Sequence, residues 1–493
     1  MSLLKKMKKL YLDENIYEME RKRIKRTNPQ IIKTTYIFVF LFLGLIGYLV
    51  KFTAVDSQEV INNSYNKRQS AFEKTVSRGS IISSNNKVLA QTLTRSDGTE
   101  VRDYPYGRMF AHAVGYNTKG LSGLESSYNY SLLTSNANAL MQIKNALLGD
   151  KNPGDSIHTT LDTRLQKAAY EALGSQDGAV VAIEPSTGKV LAMVSKPDFD
   201  PEEIDENWSW LTQSEDSELL NRATQGLYAP GSTFKVVTAL EYMREHPKYE
   251  DFTYQCDSTI IKNSNKISCY HGTSHGTVDL SKAIAKSCNT AFVELGSDLN
   301  REHYRELAES LLFNQKLPID IESKTSKFQV TKKTDKSLMP QTVIGQGDTL
   351  VTPLQNALIM CAIANEGVIM KPYMVDRVEN YNGGVIKQYK PDEYTKALDK
   401  KEANVMKNML KNVVTEGTGS VLNTSAYSVA GKTGSAEYNS AKDSHAWFVG
   451  MSNVEDPDLV VSVIIEGGGS GGSAAAPVAK RVFDSYYNNG LNH

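Results

Sequence analysis

Residues 34–50, TTYIFVFLFLGLIGYLV, contain no charged side chain. As a helix this run covers roughly 25 Å at 1.5 Å per residue, near the lower limit for crossing a bilayer. A core helix of a soluble domain would keep polar residues on one face, and this run lacks them. No small-residue cleavage site of the A-x-A type follows, so an uncleaved anchor is expected rather than a signal peptide. Residues 1–33 carry ten Lys or Arg against four acids. That bias predicts a single-pass protein of the cell membrane with a cytoplasmic N-terminus, and places everything after Lys51 outside the cytoplasm. The 493-residue chain has a net charge of −1, so no global field draws it to nucleic acid.

The rest of the chain alternates strand and helix signals. A polar stretch, 51–67, follows the anchor. SRGSIISSNNKVLA (77–90) reads as two strands about an Asn-Asn turn, and GYNTKGLSGLESSYNYSLL (115–133) as a glycine-rich segment turning helical. SIHTTLDTRLQKAAYEAL (156–173) reads as a strand and a helix capped by Asp162 or Thr163. GAVVAIEPSTGKVLAMVS (178–195) is a hairpin, and HAWFVGMS (445–452) and LVVSVIIEG (459–467) are later strands, followed by a helix over 474–489. Strands at both ends of a helical middle predict an α+β domain whose sheet is assembled from its two ends. GGGSGGS (467–473) is expected to be a mobile loop.

The chemistry starts at YAPGSTFKVV (228–237). Ser232 and Lys235 are three residues apart at the predicted start of a helix, so they share a face. Apolar neighbours would desolvate Lys235, lower its pKa and make it a general base for the serine hydroxyl. Alone, S-x-x-K is a common chance match. Two further motifs follow in order: Ser287-Cys288-Asn289, an S-x-N, and Lys432-Thr433-Gly434, a K-T-G. The ordered triple is the signature of the penicillin-recognising serine acyl-transferases. In this reading Ser232, Lys235, Ser287, Asn289 and Lys432 are catalytic. Thr433, Gly434 and Ser435 bind substrate, with the Ser232 and Ser435 N–H groups as the oxyanion hole. No cofactor or metal is expected for this chemistry.

The four cysteines are Cys256, Cys269, Cys288 and Cys361. Cys256 and Cys269, close to His271 and His275, leave three readings open: free thiols, a disulfide or a metal site. Cys288 reads as a buried packing residue. His445 reads as structural, and His112, His158, His246 and His303 as surface or packing residues.

On these motifs the chain resembles the class B penicillin-binding proteins, monofunctional D,D-transpeptidases, and most of all the small penicillin-binding protein A type. SRGSIISSNNKVLA resembles the family's R-G-x-I-x-D-R-N-G segment, with Ser83 and Ser84 in place of Asp-Arg. GLSGLES (120–126) resembles its G-x-x-G-x-E segment, with Glu125 in the acidic position. IGQGDTLVTPLQ (344–355) and HAWFVG (445–450) resemble segments beneath and beside the active site. The resemblance implies a transpeptidase fold over 156–493, with an antiparallel sheet flanked by helices and an all-helical subdomain. Before it come an elongated α/β pedestal or dimerisation domain over 51–155, the anchor 34–50 and the cytoplasmic arm 1–33. It also implies peptidoglycan stem peptides ending in D-Ala-D-Ala as substrate, β-lactam antibiotics as acylating ligands, and a SEDS-type glycan polymerase as partner. A D,D-carboxypeptidase, a β-lactam-hydrolysing or β-lactam-sensing protein of the same fold, and a catalytically dead scaffold are the rivals. A single span and a membrane-proximal region of about 100 residues disfavour the hydrolase and the sensor.

Overall fold

The computed structural model describes residues 3–24, 29–51, 72–437 and 444–491. Lys25, Arg26 and most of the polar stretch 51–67 therefore lie outside the described residues. The chain divides into two units, 1–66 and 67–493. The first holds two helices, Leu3–Ile24 and Pro29–Lys51. The second helix extends the predicted anchor by one turn at its start, and 22 of its residues are long and apolar enough to cross a membrane.

In the second unit a six-stranded sheet runs in the order 385–388, 375–379, 156–159, 81–82, 88–94, 100–103. Ile81 sits at the crossing, paired antiparallel with Ala90 and parallel with Ile157. The strands Val375–Glu379 and Val385–Gln388 enter this sheet from much later in the chain. A buried ionic knot stands beside it. Glu125, with no exposed surface, takes Arg78 Nε at 2.6 Å and Arg102 Nε at 2.8 Å. Burial pushes its carboxyl up, but the two guanidiniums outweigh that and hold it below the ordinary glutamate range. Ser83 and Ser84 carry no ion pair. Ser83 donates to Asn85 Oδ1 at 2.7 Å and Ser84 to Leu161 O at 3.1 Å, so the Asn-Asn turn is held by hydroxyls.

The main sheet has five antiparallel strands in the order 429–436, 445–452, 459–465, 178–183, 190–196. It is built from both ends of the domain, as the strand signals predicted. Successive side chains alternate between two cores. Val180, Ala182, Phe448, Val461 and Val463 pack with the helices Thr163–Leu173 and Ala476–Asn488. Val181, Ile183, Trp447, Val449 and Ile464 face the other way, into the larger core. Both faces are covered, which is why these strands read as near-continuous apolar runs. Asp162 caps the first helix by accepting from the Arg164 and Leu165 N–H groups.

The larger core is organised by the helix Pro353–Ala364, all twelve of whose residues are buried. Apart from Gln355 and Asn356, whose amides bond Leu311 O and Thr233 Oγ1, it is apolar all round and belongs inside a protein core. Around it stand the helices Lys235–Glu245, Asn289–Gly296, Arg301–Ser310 and Lys400–Thr415. Two short ribbons, 254–256 with 276–278 and 259–262 with 265–268, interrupt this helical half.

Replacing Glu125 with Ala leaves two buried guanidiniums unpaired. The expected loss is on the order of 3–5 kcal/mol, read as a lower urea midpoint of the purified protein. The wild-type pair should itself weaken as acid protonates Glu125, because a depressed carboxylate stabilises only while ionised.

Candidate active site

The turn that carries Ser232, the nucleophile expected from the sequence, rests on a constraint at Gly231. Its φ is +52°, and a Cβ added there would stand 2.5 Å from Ser435 O, so no side chain fits. Gly231–Phe234 form a 3-10 turn that runs into the helix Lys235–Glu245. Ser232 thus lies in the tighter turn, and Lys235 is the first residue of the α-helix. Two bonds fix the turn from outside. Gly231 N–H donates to Gly345 O at 2.8 Å, and Trp447 Nε1 donates to Ala229 O at 3.0 Å. These contacts give the 344–355 and 445–450 segments their place beside the nucleophile.

Lys235 is fully buried. Its Nζ donates to Ser287 O at 2.7 Å and to Asn289 Oδ1 at 2.6 Å, and stands 3.4 Å from Ser287 Oγ. Burial lowers its pKa to about 8, against an opposing pull from Cys288 and Cys269. Ser287 has φ +55°, an uncommon backbone for a serine. It follows the helix Leu280–Ala285 and turns its carbonyl to Lys235. Asn289 Nδ2 donates to Ser268 O at 2.8 Å, which fixes the amide with its oxygen toward the lysine.

Lys432, also fully buried, donates to Ser287 Oγ at 2.9 Å and to Thr433 O at 3.0 Å. Burial first, then the charge of Lys235, hold its pKa well below the lysine range. Ser287 Oγ therefore lies between two amines. In front of them opens a cleft of 1040 Å³ lined by Ser232, Ser287, Asn289, Thr433, Gly434 and Ser435. All eight residues singled out from the sequence meet here, six on the cleft wall and two lysines buried behind it.

Three details differ from the sequence reading. A Cβ on Gly434 would meet Thr233 Cγ2 at 3.0 Å and Pro230 O at 3.1 Å. The glycine thus lets its strand approach the nucleophile turn, in addition to leaving a bare edge. Lys432 is turned toward Ser287 Oγ and Thr433 O and stays off the cleft wall, whereas Thr433 lines it. The 467–473 segment is a packed turn: a Cβ on Gly471 would stand 2.1 Å from Trp447 O and 2.5 Å from Gly434 O. Sequence reasoning also missed Thr418, which lines the cleft and shares a hydrogen bond with the Thr433 hydroxyl. Its only signal was a Gly-Thr-Gly after a helical run. His445 is buried, with its ring edge-on to Tyr228 and its Nδ1 accepting from Gly467 N–H at 3.2 Å.

Behind the S-x-N turn lies a second group of donors. Cys256 Sγ, Cys269 Sγ, Cys288 Sγ and one ring nitrogen of His275 all fall within 4.8 Å of one another. The Cys256–Cys269 and Cys269–Cys288 Sγ pairs are 3.8 Å apart, and Cys256 Sγ is 3.4 Å from His275 Nδ1. A tetrahedron with Zn–S bonds of roughly 2.3 Å places its sulfurs roughly 3.8 Å apart. Three thiols and an imidazole at this spacing fit zinc, and the four cysteines are unbonded to one another. Cys288 belongs to the set, whereas His271 is exposed and stands outside it. Such an ion would hold the 256–275 ribbons against the turn that carries Ser287 and Asn289.

Residues 178–484 match the penicillin binding protein transpeptidase domain, and 78–157 match the penicillin binding protein A dimerisation domain. The chain is 30% identical over 450 residues to the peptidoglycan D,D-transpeptidase PbpA of Mycolicibacterium smegmatis, covering 84% of this chain and 90% of that protein. An imipenem acyl-enzyme complex of penicillin-binding protein A from M. tuberculosis superimposes with a TM-score of 0.77 at 28% identity, over 84% of this chain and 99% of that one. A D,D-transpeptidase domain from Eggerthella lenta gives a TM-score of 0.76 at 32% identity, over 85% and 100%. The chain belongs to the penicillin-binding protein transpeptidase family and is an enzyme of the serine D,D-transpeptidase class. Its helix Pro29–Lys51 is long and apolar enough to cross a membrane.

Elemental analysis of the purified full-length protein is expected to find about one zinc per chain, lost on Cys269→Ser. Mass spectrometry of unreduced protein showing a Cys256–Cys269 disulfide would exclude the ion.

Proposed function

We propose that this enzyme cross-links peptidoglycan stem peptides through an acyl-enzyme on Ser232, with Lys235 as the base. The observation that carries the reading is the hydrogen bonding of Lys235. A neutral amine has two hydrogens and one lone pair. Ser287 O and Asn289 Oδ1, at 2.7 and 2.6 Å, take two hydrogens. The lone pair is left for a proton from Ser232, three residues earlier on the same face. Burial supplies the neutral form.

In this reading Ser232 Oγ attacks the carbonyl between the two terminal D-alanines as its proton passes to Lys235. The Ser232 and Ser435 N–H groups stabilise the oxyanion. The tetrahedral adduct collapses, the C–N bond breaks, and the proton reaches the departing D-alanine amine through Ser287 Oγ, which lies between Lys235 and Lys432. An amine from a neighbouring stem peptide then attacks the ester, gives up a proton along the same route, and releases Ser232. A β-lactam carbonyl would acylate Ser232 by the same first step. The Thr433 hydroxyl and the field of Lys432 select a carboxylate, and Gly434 and Ser435 present strand edge to an extended peptide.

The catalytic part, 156–493, would act outside the cytoplasm. The arm 1–33 would stay inside, the anchor 34–50 would span the membrane, and 51–155 would serve as pedestal toward a SEDS-type glycan polymerase.

Ser232→Ala should abolish covalent labelling by fluorescent penicillin in the purified protein. Lys235→Ala should slow acylation by at least about 100-fold. The wild-type acylation rate should rise with pH and be half-maximal near pH 8, because the base must be neutral. A profile flat from pH 6 to 10 would assign the proton transfer elsewhere. Products of a pentapeptide donor, with and without an acceptor amine, separate transpeptidase from carboxypeptidase.

A further inference from the structure

At the end of the helix Lys235–Glu245 remote from Lys235, a second pocket of 730 Å³ opens. Glu241 and Glu245 lie one turn apart on that helix and share a face. His303 reaches the same place from the helix Arg301–Ser310. One donor atom from each of the three falls within 4.8 Å of the others. Glu245 Oε1 is 3.8 Å from His303 Nδ1 and accepts the Asn300 N–H at 2.8 Å.

Glu241 is the unusual member. It is 1% exposed and lines the pocket, yet its Oε2 meets no hydrogen-bond donor. A buried carboxylate oxygen without a donor is costly, and native structures keep few of them. Burial, then the neighbouring charge of Glu245, push the Glu241 carboxyl up to about 7, and the Glu245 carboxylate stands within hydrogen-bond reach, a bond made only while one of the two acids keeps a proton. Arg244 pulls the other way but is committed to Glu402 by bonds of 2.8 and 2.9 Å. Glu306 adds another acid to the wall. The pocket holds more negative charge than its single arginine offsets.

We propose that Glu241, Glu245 and His303 bind a divalent transition-series cation, Mn²⁺ or Zn²⁺, between the two helices. Two carboxylates and an imidazole suit these ions, whereas Ca²⁺ and Mg²⁺ favour all-oxygen shells. The pocket leaves room for waters to complete the coordination. The ion turns the Glu241–Glu245 repulsion into shared attraction. It also ties the last turn of the helix that begins at Lys235 to its neighbour, roughly 15 Å along the axis from the catalytic amine. The site is distinct from the thiol cluster, whose soft donors take zinc first and Mn²⁺ poorly.

Mn²⁺ is therefore the discriminating probe. Full-length protein in detergent, loaded with a single equivalent of zinc per chain so that only the thiol cluster is filled, would be titrated with MnCl₂ while free Mn²⁺ is followed by electron paramagnetic resonance. The expected result is saturable binding of one Mn²⁺ per chain, weakened at least about tenfold by Glu241→Gln and by His303→Ala. Mn²⁺ should also raise the melting temperature of the wild type and leave both variants unmoved. His303 is exposed, so its variant should keep the fold, checked by unchanged penicillin acylation. Absence of binding at millimolar Mn²⁺, or equal binding by wild type and His303→Ala, would overturn the assignment.

Discussion

Two lysine side chains buried side by side are the constraint on which the rest of the catalytic half depends. Each ammonium would lose most of its hydration on burial, and each would repel the other. The fold resolves this by making both amines easier to deprotonate and by surrounding them with acceptors. Ser287 supplies most of these, through its carbonyl and its hydroxyl, and it does so only because its backbone takes a left-handed turn. The helix before it, the Asn289 amide after it and the ribbon carbonyl of Ser268 all fix that turn. Chemical reactivity and local strain are thus concentrated at one residue.

Three separate stretches of chain must arrive together for that arrangement. The nucleophile turn is clamped between the Gly345 carbonyl and the Trp447 indole. The Lys432 strand approaches it where Gly434 lacks a side chain. The buried helix Pro353–Ala364 supplies the floor, and the main sheet holds Lys432 in register, with Thr433 opposite Phe448. Close packing of this kind tolerates little rearrangement, so the cleft is already formed around its nucleophile.

Much of this was legible in the sequence, for identifiable reasons. Alternating and continuous apolar runs located the main-sheet strands, because burial on both faces leaves a strong pattern. The three motifs, residue types that acyl transfer needs in a particular order, converge on one cleft as their order suggested. What stayed hidden was tertiary. Cys288 reads as filler until the fold sets its sulfur 3.8 Å from Cys269. His271 and His275 look equivalent on paper, yet only one turns inward. The 467–473 run has the composition of a linker, but backbone carbonyls leave no space for a side chain at Gly471 and Gly472. Glu241 belongs to no motif, and only its burial makes it notable.

The six-stranded sheet joins parts of the chain far apart in sequence. Strands 375–379 and 385–388 complete a sheet begun at 81–103, and Thr160, the residue after its strand 156–159, donates its hydroxyl to Val190 O of the catalytic sheet at 2.6 Å. Its N–H bonds Met374 O, and Val190 N–H bonds Tyr373 O. A displacement of the strands 81–103 is consequently delivered through hydrogen-bonded backbone into the five-stranded sheet, whose far edge carries Lys432. The two sheets are thereby mortised together, so a strain set in one is felt as a torque in the other.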